Sequence, residues 1–183
     1  MRTFVAVVPP PPVLAPLVRA AGALRGSFAA SWVPEERLHV TLAFLGEVSE
    51  DTARRVEEHL GEAAAEREPF ALRLRGGGAF PRAARARVLW AGLDGDLDAL
   101  SSLARATRRA ARAARVDVER KPYVPHVTVA RLRRPADVSG AAAALDAVTS
   151  QVWTVTEVVL MRSVLGPTPS YEPLARLPLG YQA

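Results

Sequence analysis

Two stretches, Leu38-His39-Val40-Thr41-Leu42-Ala43 and Pro125-His126-Val127-Thr128-Val129-Ala130, repeat one pattern: His-Val-Thr followed by an apolar residue. Each is apolar and β-branched over a length that suits a strand. In a strand, residues i and i+2 share a face. His39 and Thr41 therefore project together while Val40 and Leu42 project into a core. His126 and Thr128 do the same against Val127 and Val129. Each strand is followed by a turn and then a helix. The halves of the chain thus echo one another, and the pattern predicts a single domain over residues 1–183, made of two similar lobes. The repeated strands would face each other and give a common cleft two imidazoles and two hydroxyls.

Outward from these strands, the pattern alternates strand and helix, an α/β (α+β) reading. Strands are expected at Phe4 to Val8, Leu38 to Leu45, Phe70 to Arg75, Arg87 to Ala91, Val124 to Leu132 and Val152 to Met161, with an edge strand near Tyr171 to Leu177. Gly76-Gly77-Gly78 reads as a flexible connection between two of them. Helices are expected at Val13 to Leu24, Glu50 to Glu66, Leu97 to Arg115 and Ala141 to Ala147. In the third helix Leu100, Leu103, Thr107, Ala111 and Ala114 share one face. Arg105, Arg108, Arg109, Arg112 and Arg115 fall opposite, on a face that reads as solvated.

The chain has 183 residues, 49% of them hydrophobic and 23% charged, which suits a globular domain with its own core. It has no cysteine, which excludes disulfides, thiolate metal sites and a thiol nucleophile. Prolines from Pro9 to Pro12 cut short the apolar start, so it does not read as a signal peptide. No stretch approaches the roughly 18 apolar residues of a membrane span. A cytoplasmic protein without membrane association is expected, with monomer the default state. The net charge of +5 favours polyanionic partners, nucleic acid first among them. Nearly all of that positive charge is arginine; Lys121 is the sole lysine.

Two imidazoles and two hydroxyls suit the opening of a cyclic phosphate. One proton must leave the attacking water and another must reach the departing ribose oxygen. With an ordinary pKa near 6.5, one histidine can be neutral while the other is charged. Thr41 and Thr128 can donate to the non-bridging phosphate oxygens. No carboxylate cluster suited to magnesium is visible, and no cofactor or metal is expected. The third histidine, His59, lies in the charged run Glu57-Glu58-His59-Leu60 and reads as a surface residue.

The paired His-x-Thr-x motifs, read here as HVTL from His39 and HVTV from His126, resemble those of the RNA 2′,3′-cyclic phosphodiesterases. These are also called 2′-5′ RNA ligases and belong to the two-histidine phosphoesterase superfamily. The resemblance extends through Arg2 and Phe4-Val5-Ala6, LHVTLAFLGEV at Leu38 to Val48, Phe80-Pro81 with Arg87 to Gly92, PYVPHVTVAR at Pro122 to Arg131, and Tyr171-Glu172-Pro173-Leu174. It implies a two-lobed fold with pseudo-twofold symmetry, antiparallel-rich sheets lining a central cleft, and helices outside. It also implies metal-independent hydrolysis of RNA 2′,3′-cyclic phosphate ends to a 2′-phosphate, possible reverse 2′-5′ ligation, His39 as proton donor, His126 as proton acceptor, and Arg131 as a phosphate ligand. Arg131 lies five residues after His126, so a straight strand would turn it to the other face; it reaches the cleft only where the strand ends or bulges. Phe44 and Phe80 read first as packing residues that can also stack a base, and Tyr123 with Arg120-Lys121 would line the groove rim. Alternative substrates for the same chemistry are small cyclic nucleotides, ADP-ribose cyclic phosphate and 2′-5′ oligoadenylate. A non-catalytic module binding a nucleotide or RNA end is the alternative outside enzymology.

Overall fold

In the computed structural model, which describes residues 1–181, the period-2 stretches form strands and the period-3.6 stretches form helices packed against them. The elements in chain order are β1 (Arg2–Val7), α1 (Pro11–Leu24), β2 (Ser31–Trp32), β3 (Val40–Glu47), α2 (Glu50–Ala65), β4 (Phe70–Arg82), β5 (Arg85–Gly95), α3 (Leu97–Ala113), β6 (Val127–Ala136), α4 (Ser139–Asp146), β7 (Trp153–Val155), β8 (Glu157–Val164) and β9 (Ser170–Pro178). The helix starts follow local chemistry. Prolines occupy the first turn of α1, where their missing N–H groups have no intrahelical partner to lose. Ser49 caps α2 by accepting from the Thr52 N–H, and Asp96 caps α3 by accepting from Ala99.

All strand pairs are antiparallel, and they join into one curved sheet ordered β7-β4-β5-β6-β3-β1-β8-β9, with β2 on β6. The order forms two arms of four strands that meet between β6 and β3. The first arm is contiguous in the chain over residues 70–155, and the second joins β1 and β3 from the start of the chain to β8 and β9 from its end, through β8 on β1. The arms touch through one residue pair, Val40 with Val127, after which β3 and β6 diverge. The repeated strands are thus neighbours in one sheet and open into a cleft beside that pair. β2 covers the edge of β6 that β3 leaves, through Ser31–Arg131, Trp32–Ala130 and the Val33 N–H to the Val129 carbonyl.

The main core lies on the helix side and includes Val5, Val7, Leu42, Leu72, Leu89, Val127 and Val129, with Leu17, Leu60, Leu100, Leu103 and Leu145 from the helices. The expected apolar face of α3 is buried. Arg105, Arg109, Arg112 and Arg115 are exposed as expected. Arg108 is not simply solvated: it donates to the Lys121 carbonyl at 2.7 Å and lies over the Tyr123 ring. A second, small cluster of Phe4, Ala6, Val159 and Met161, with Tyr171 against it, sits on the cleft side. Among the described residues no helix is long and apolar enough to cross a membrane.

Two expectations are corrected. Gly76-Gly77-Gly78 is not a flexible connection, because β4 runs through it to Arg82 and the turn comes at Ala83-Ala84. A side chain at Gly77 would meet Leu145 Cβ of α4 at 2.5 Å, and one at Gly78 would meet the Trp90 ring at 2.6 Å. The glycines are there for close approach of helix and indole, not for chain freedom. The stretch Val152 to Met161 is two strands, broken at Thr156, because β7 pairs with β4 in one arm and β8 with β1 in the other. The two-residue β2 had no pattern to reveal it.

Candidate active site

His39 and His126 immediately precede β3 and β6, one residue before the pair that joins the arms. Both imidazoles are fixed in the same way. His39 Nδ1 donates to the Arg37 carbonyl at 2.7 Å, and His126 Nδ1 donates to the Val124 carbonyl at 2.8 Å. A carbonyl only accepts, so each neutral ring carries its proton on Nδ1 and leaves Nε2 to exchange protons. His39 Nε2 also meets Thr41 Oγ1 at 2.9 Å. His39, Thr41, His126, Thr128 and Arg131 all line one cleft of about 720 Å³.

Arg131 reaches the cleft through a bulge. Leu89 pairs with Ala130 but Trp90 with Thr128, so Val129 is an extra residue in β6. The inserted residue flips the alternation, and Val129 and Ala130 are buried in succession. Arg131 therefore shares the face of Thr128. β3 carries the same device: Val5 pairs with Ala43 and Ala6 with Thr41, leaving Leu42 extra and Leu42-Ala43 buried in succession. The residue five places after His39 is Phe44, which takes the position that Arg131 takes after His126. Its exposure of 62% corrects the reading of Phe44 as a packing residue. The cleft is symmetric in its imidazoles and asymmetric in what flanks them, a cation on one side and an exposed ring on the other.

Each histidine has an aromatic backing. Phe4 lies 4.8 Å from His39 and Tyr171 5.4 Å, ring centre to ring centre. Phe80 lies 5.1 Å from His126 and edge-on to it, with Trp90 behind at 6.5 Å. Phe80 thus both packs and lines the cleft. Tyr123 is elsewhere: its hydroxyl donates to the Thr41 carbonyl at 2.9 Å, and burial pushes its phenol pKa up. It lines a second cavity of about 520 Å³ that adjoins the first and shares Thr41, Phe44, Phe80 and His126 with it. Lys121 lines that second cavity and pairs with Glu119 at 2.9 Å. His59 is half-exposed on α2, as its charged neighbours suggested.

The sequence reading did not single out Phe4, Tyr171, Trp90, Arg2 or Ser163 as site residues. An aromatic or polar residue in an apolar strand carries no signal of which cleft it will face. No carboxylate lines the main cleft among the described residues. Burial lowers the pKa of both histidines below the ordinary 6.5, and the Arg131 guanidinium lowers both further, while the carbonyls on Nδ1 oppose the shift. The constellation can thus hold one neutral and one protonated imidazole beside a fixed cation.

The family model described as the 2′-5′ RNA ligase superfamily matches residues 9–167. A Geobacillus stearothermophilus protein named RNA 2′,3′-cyclic phosphodiesterase is 35% identical over 150 residues, 81% of this chain and 48% of that one. A Thermus thermophilus protein of the same name is 35% identical over 190 residues, 98% of this chain and 90% of that one. For four of the curated relatives the chain spans 48% to 64% of the relative's length. Among solved structures, TT0787 of Thermus thermophilus superposes with a TM-score of 0.82 at 32% identity, covering 100% of both chains. The E. coli LigT complex with 3′-AMP superposes with a TM-score of 0.79 at 27% identity, covering 97% of each.

Proposed function

The chain belongs to the 2′-5′ RNA ligase superfamily, and from that premise we propose that it opens 2′,3′-cyclic phosphate ends of RNA by acid–base catalysis. The observation that carries the reading is the pair of imidazoles in one cleft, each pinned through Nδ1 and each free to exchange a proton at Nε2. The nucleotide bound in the LigT structure supports a nucleotide-type substrate.

In the proposed reaction a water oxygen attacks the cyclic phosphorus. His126 Nε2 takes the water proton as the P–O bond forms. The bond from phosphorus to the ribose 3′ oxygen breaks, and protonated His39 delivers its Nε2 proton to that oxygen. The product carries a 2′-phosphate and a 3′-hydroxyl. Arg131 and the Thr41 and Thr128 hydroxyls neutralise charge on the non-bridging oxygens as it builds. The division of roles follows the family; the contact of Thr41 with His39 Nε2 orients that ring's exchangeable nitrogen. With the 5′-hydroxyl of a second RNA in place of water, the same groups can open the cyclic phosphate into a 2′-5′ linkage, the 3′ oxygen again leaving as a hydroxyl.

The test is incubation of the protein, in EDTA, with 2′,3′-cyclic AMP and with a short RNA ending in a 2′,3′-cyclic phosphate. Products are separated against 2′- and 3′-phosphate standards. A 2′-phosphate product is expected, with His39→Ala and His126→Ala each slower by about 10² to 10⁴-fold. A 3′-phosphate product would exchange the roles of the two histidines, and no product from either substrate would refute the reading.

A further inference from the structure

The two arms of the sheet flank the cleft with four strands each and with unequal charge balance. In the β3-β1-β8-β9 arm most cations are neutralised, the exception being Arg2 of β1, which lines the cleft. Arg162 pairs with Glu172 at 3.4 Å, Arg176 with Glu157 at 2.8 Å, and the N-terminal amine with Glu47 at 3.3 Å. In the other arm, residues 76–93 and 120–136 contain no acidic residue at all. Arg82, Arg85 and Arg133 in those segments are exposed, and none has a carboxylate partner among the described residues.

Register and burial place Arg82 and Arg85 on the cleft face, and Arg133 is exposed on β6 beyond Arg131. Ala86 is fully buried in the core, so its neighbour Arg85 in β5 turns to the opposite, cleft face. Arg85 is the register partner of Arg82 across the β4–β5 turn, and directly opposed residues share a face. Arg131 lines the cleft, Leu132 turns into the core at 6% exposure, and Arg133 is exposed where β6 bulges out of register with β5 between Arg131 and Ala136. Arg131 and Arg133 are about 7 Å apart along the strand. The cations form a track from Arg131, beside the histidines, outward to the β4–β5 turn.

We propose that the RNA leading to the reacting end leaves the cleft over the β4–β5–β6 flank, its phosphates held by Arg133, Arg82 and Arg85. The proposal rests on the reading of the cleft as an RNA-end site and adds a direction to it. The larger number of uncompensated cations on this flank gives a polyanion its favoured exit. A mononucleotide ends at Arg131 and never meets the track.

The experiment separates the track from the catalytic reading by measuring binding as well as turnover. The triple variant Arg82→Gln/Arg85→Gln/Arg133→Gln is compared with the parent and with Arg162→Gln/Arg176→Gln from the opposite flank. Fluorescence anisotropy of a labelled decanucleotide RNA is followed from low to physiological salt, and hydrolysis of 2′,3′-cyclic AMP is measured in parallel. In the triple variant the slope of log affinity against log salt should fall in magnitude by about 2, since each single-strand phosphate contact contributes about 0.7. Its 2′,3′-cyclic AMP hydrolysis should equal the parent's, and the opposite-flank variant should bind RNA as the parent does. An unchanged slope in the triple variant, or an equal loss in both variants, would overturn the track even with hydrolysis intact. Loss of the slope in the triple variant alone supports the track even where the parent hydrolyses neither substrate, an outcome that counts against the catalytic reading only.

Discussion

At the scale of single residues, His39 and His126 share a tautomer and differ in their neighbours, and pH is the variable that exposes this. Burial disfavours the imidazolium in both, and Arg131 repels it in both, so both titrate below 6.5. Catalysis needs one ring charged and one neutral, so kcat/KM for 2′,3′-cyclic AMP should follow a bell whose maximum lies below pH 6.5. Arg131→Gln removes the shared cation; both limbs should move to higher pH while the maximum rate falls. The same shift bears on stability. The depressed pKa values mean that the fold is fully stabilised above about pH 6.5, where unfolded histidine is also neutral. That contribution is lost as pH falls through the folded-state values, and urea midpoints should drop on acidification by less in His126→Gln than in the parent. Phe44 makes the contrasting prediction. With 62% of it exposed, Phe44→Ala should leave the unfolding free energy measured in urea within about 0.5 kcal/mol of the parent. If the ring stacks a base, KM should rise by the equivalent of about 1 to 3 kcal/mol. An unchanged KM would return Phe44 to an incidental exposed position.

At the scale of elements, what the sequence revealed and what it hid have separable physical causes. The strand assignments around His39 and His126 were legible because period-2 alternation is a property of one strand. The bulges at Leu42 and Val129 were not, because an extra residue is defined only against a neighbouring strand that the sequence does not reveal. The consequence is concrete: the five-residue spacing of Arg131 looked wrong for the cleft and is right for a bulged strand. The third helix was legible from its apolar face, whereas the caps Ser49 and Asp96 emerged only from the structure. The glycine triplet misled, since glycine signals turns unless one knows that α4 and the Trp90 ring lie against it. Gly77→Ala tests that account. Its new Cβ would meet Leu145 Cβ and the Trp90 carbonyl oxygen at 2.5 and 2.9 Å, atoms that cannot swing away. The variant should lose about 1 to 3 kcal/mol by urea denaturation. Gly140→Ala, where nothing lies within 4 Å, should lose none of this.

At the scale of the whole molecule, the question is whether the two arms, joined through one residue pair at the centre, unfold together. The chain order and the helix packing answer it. The arm around β5 and β6 is contiguous over residues 70–155, and the arm around β3 and β1 is completed by β8 and β9 from the end of the chain. β2, from the start of the chain, lies on β6 of the other arm, and the core side is shared through packing of α2 on α3 and α1 on α4. We propose that residues 1–183 therefore behave as one domain in which neither lobe survives without the other. The tryptophans make this measurable, because Trp32, Trp90 and Trp153 lie in β2, β5 and β7 and report on the β6 arm alone. Far-ultraviolet circular dichroism reports on both arms and all four helices. Urea transitions followed by tryptophan fluorescence and by circular dichroism should coincide in midpoint and slope. A fluorescence transition displaced from the dichroism one would mean that the arms part before they unfold. The cleft between them would then be a hinge, and the two imidazoles that the mechanism needs together would be held apart in part of the population.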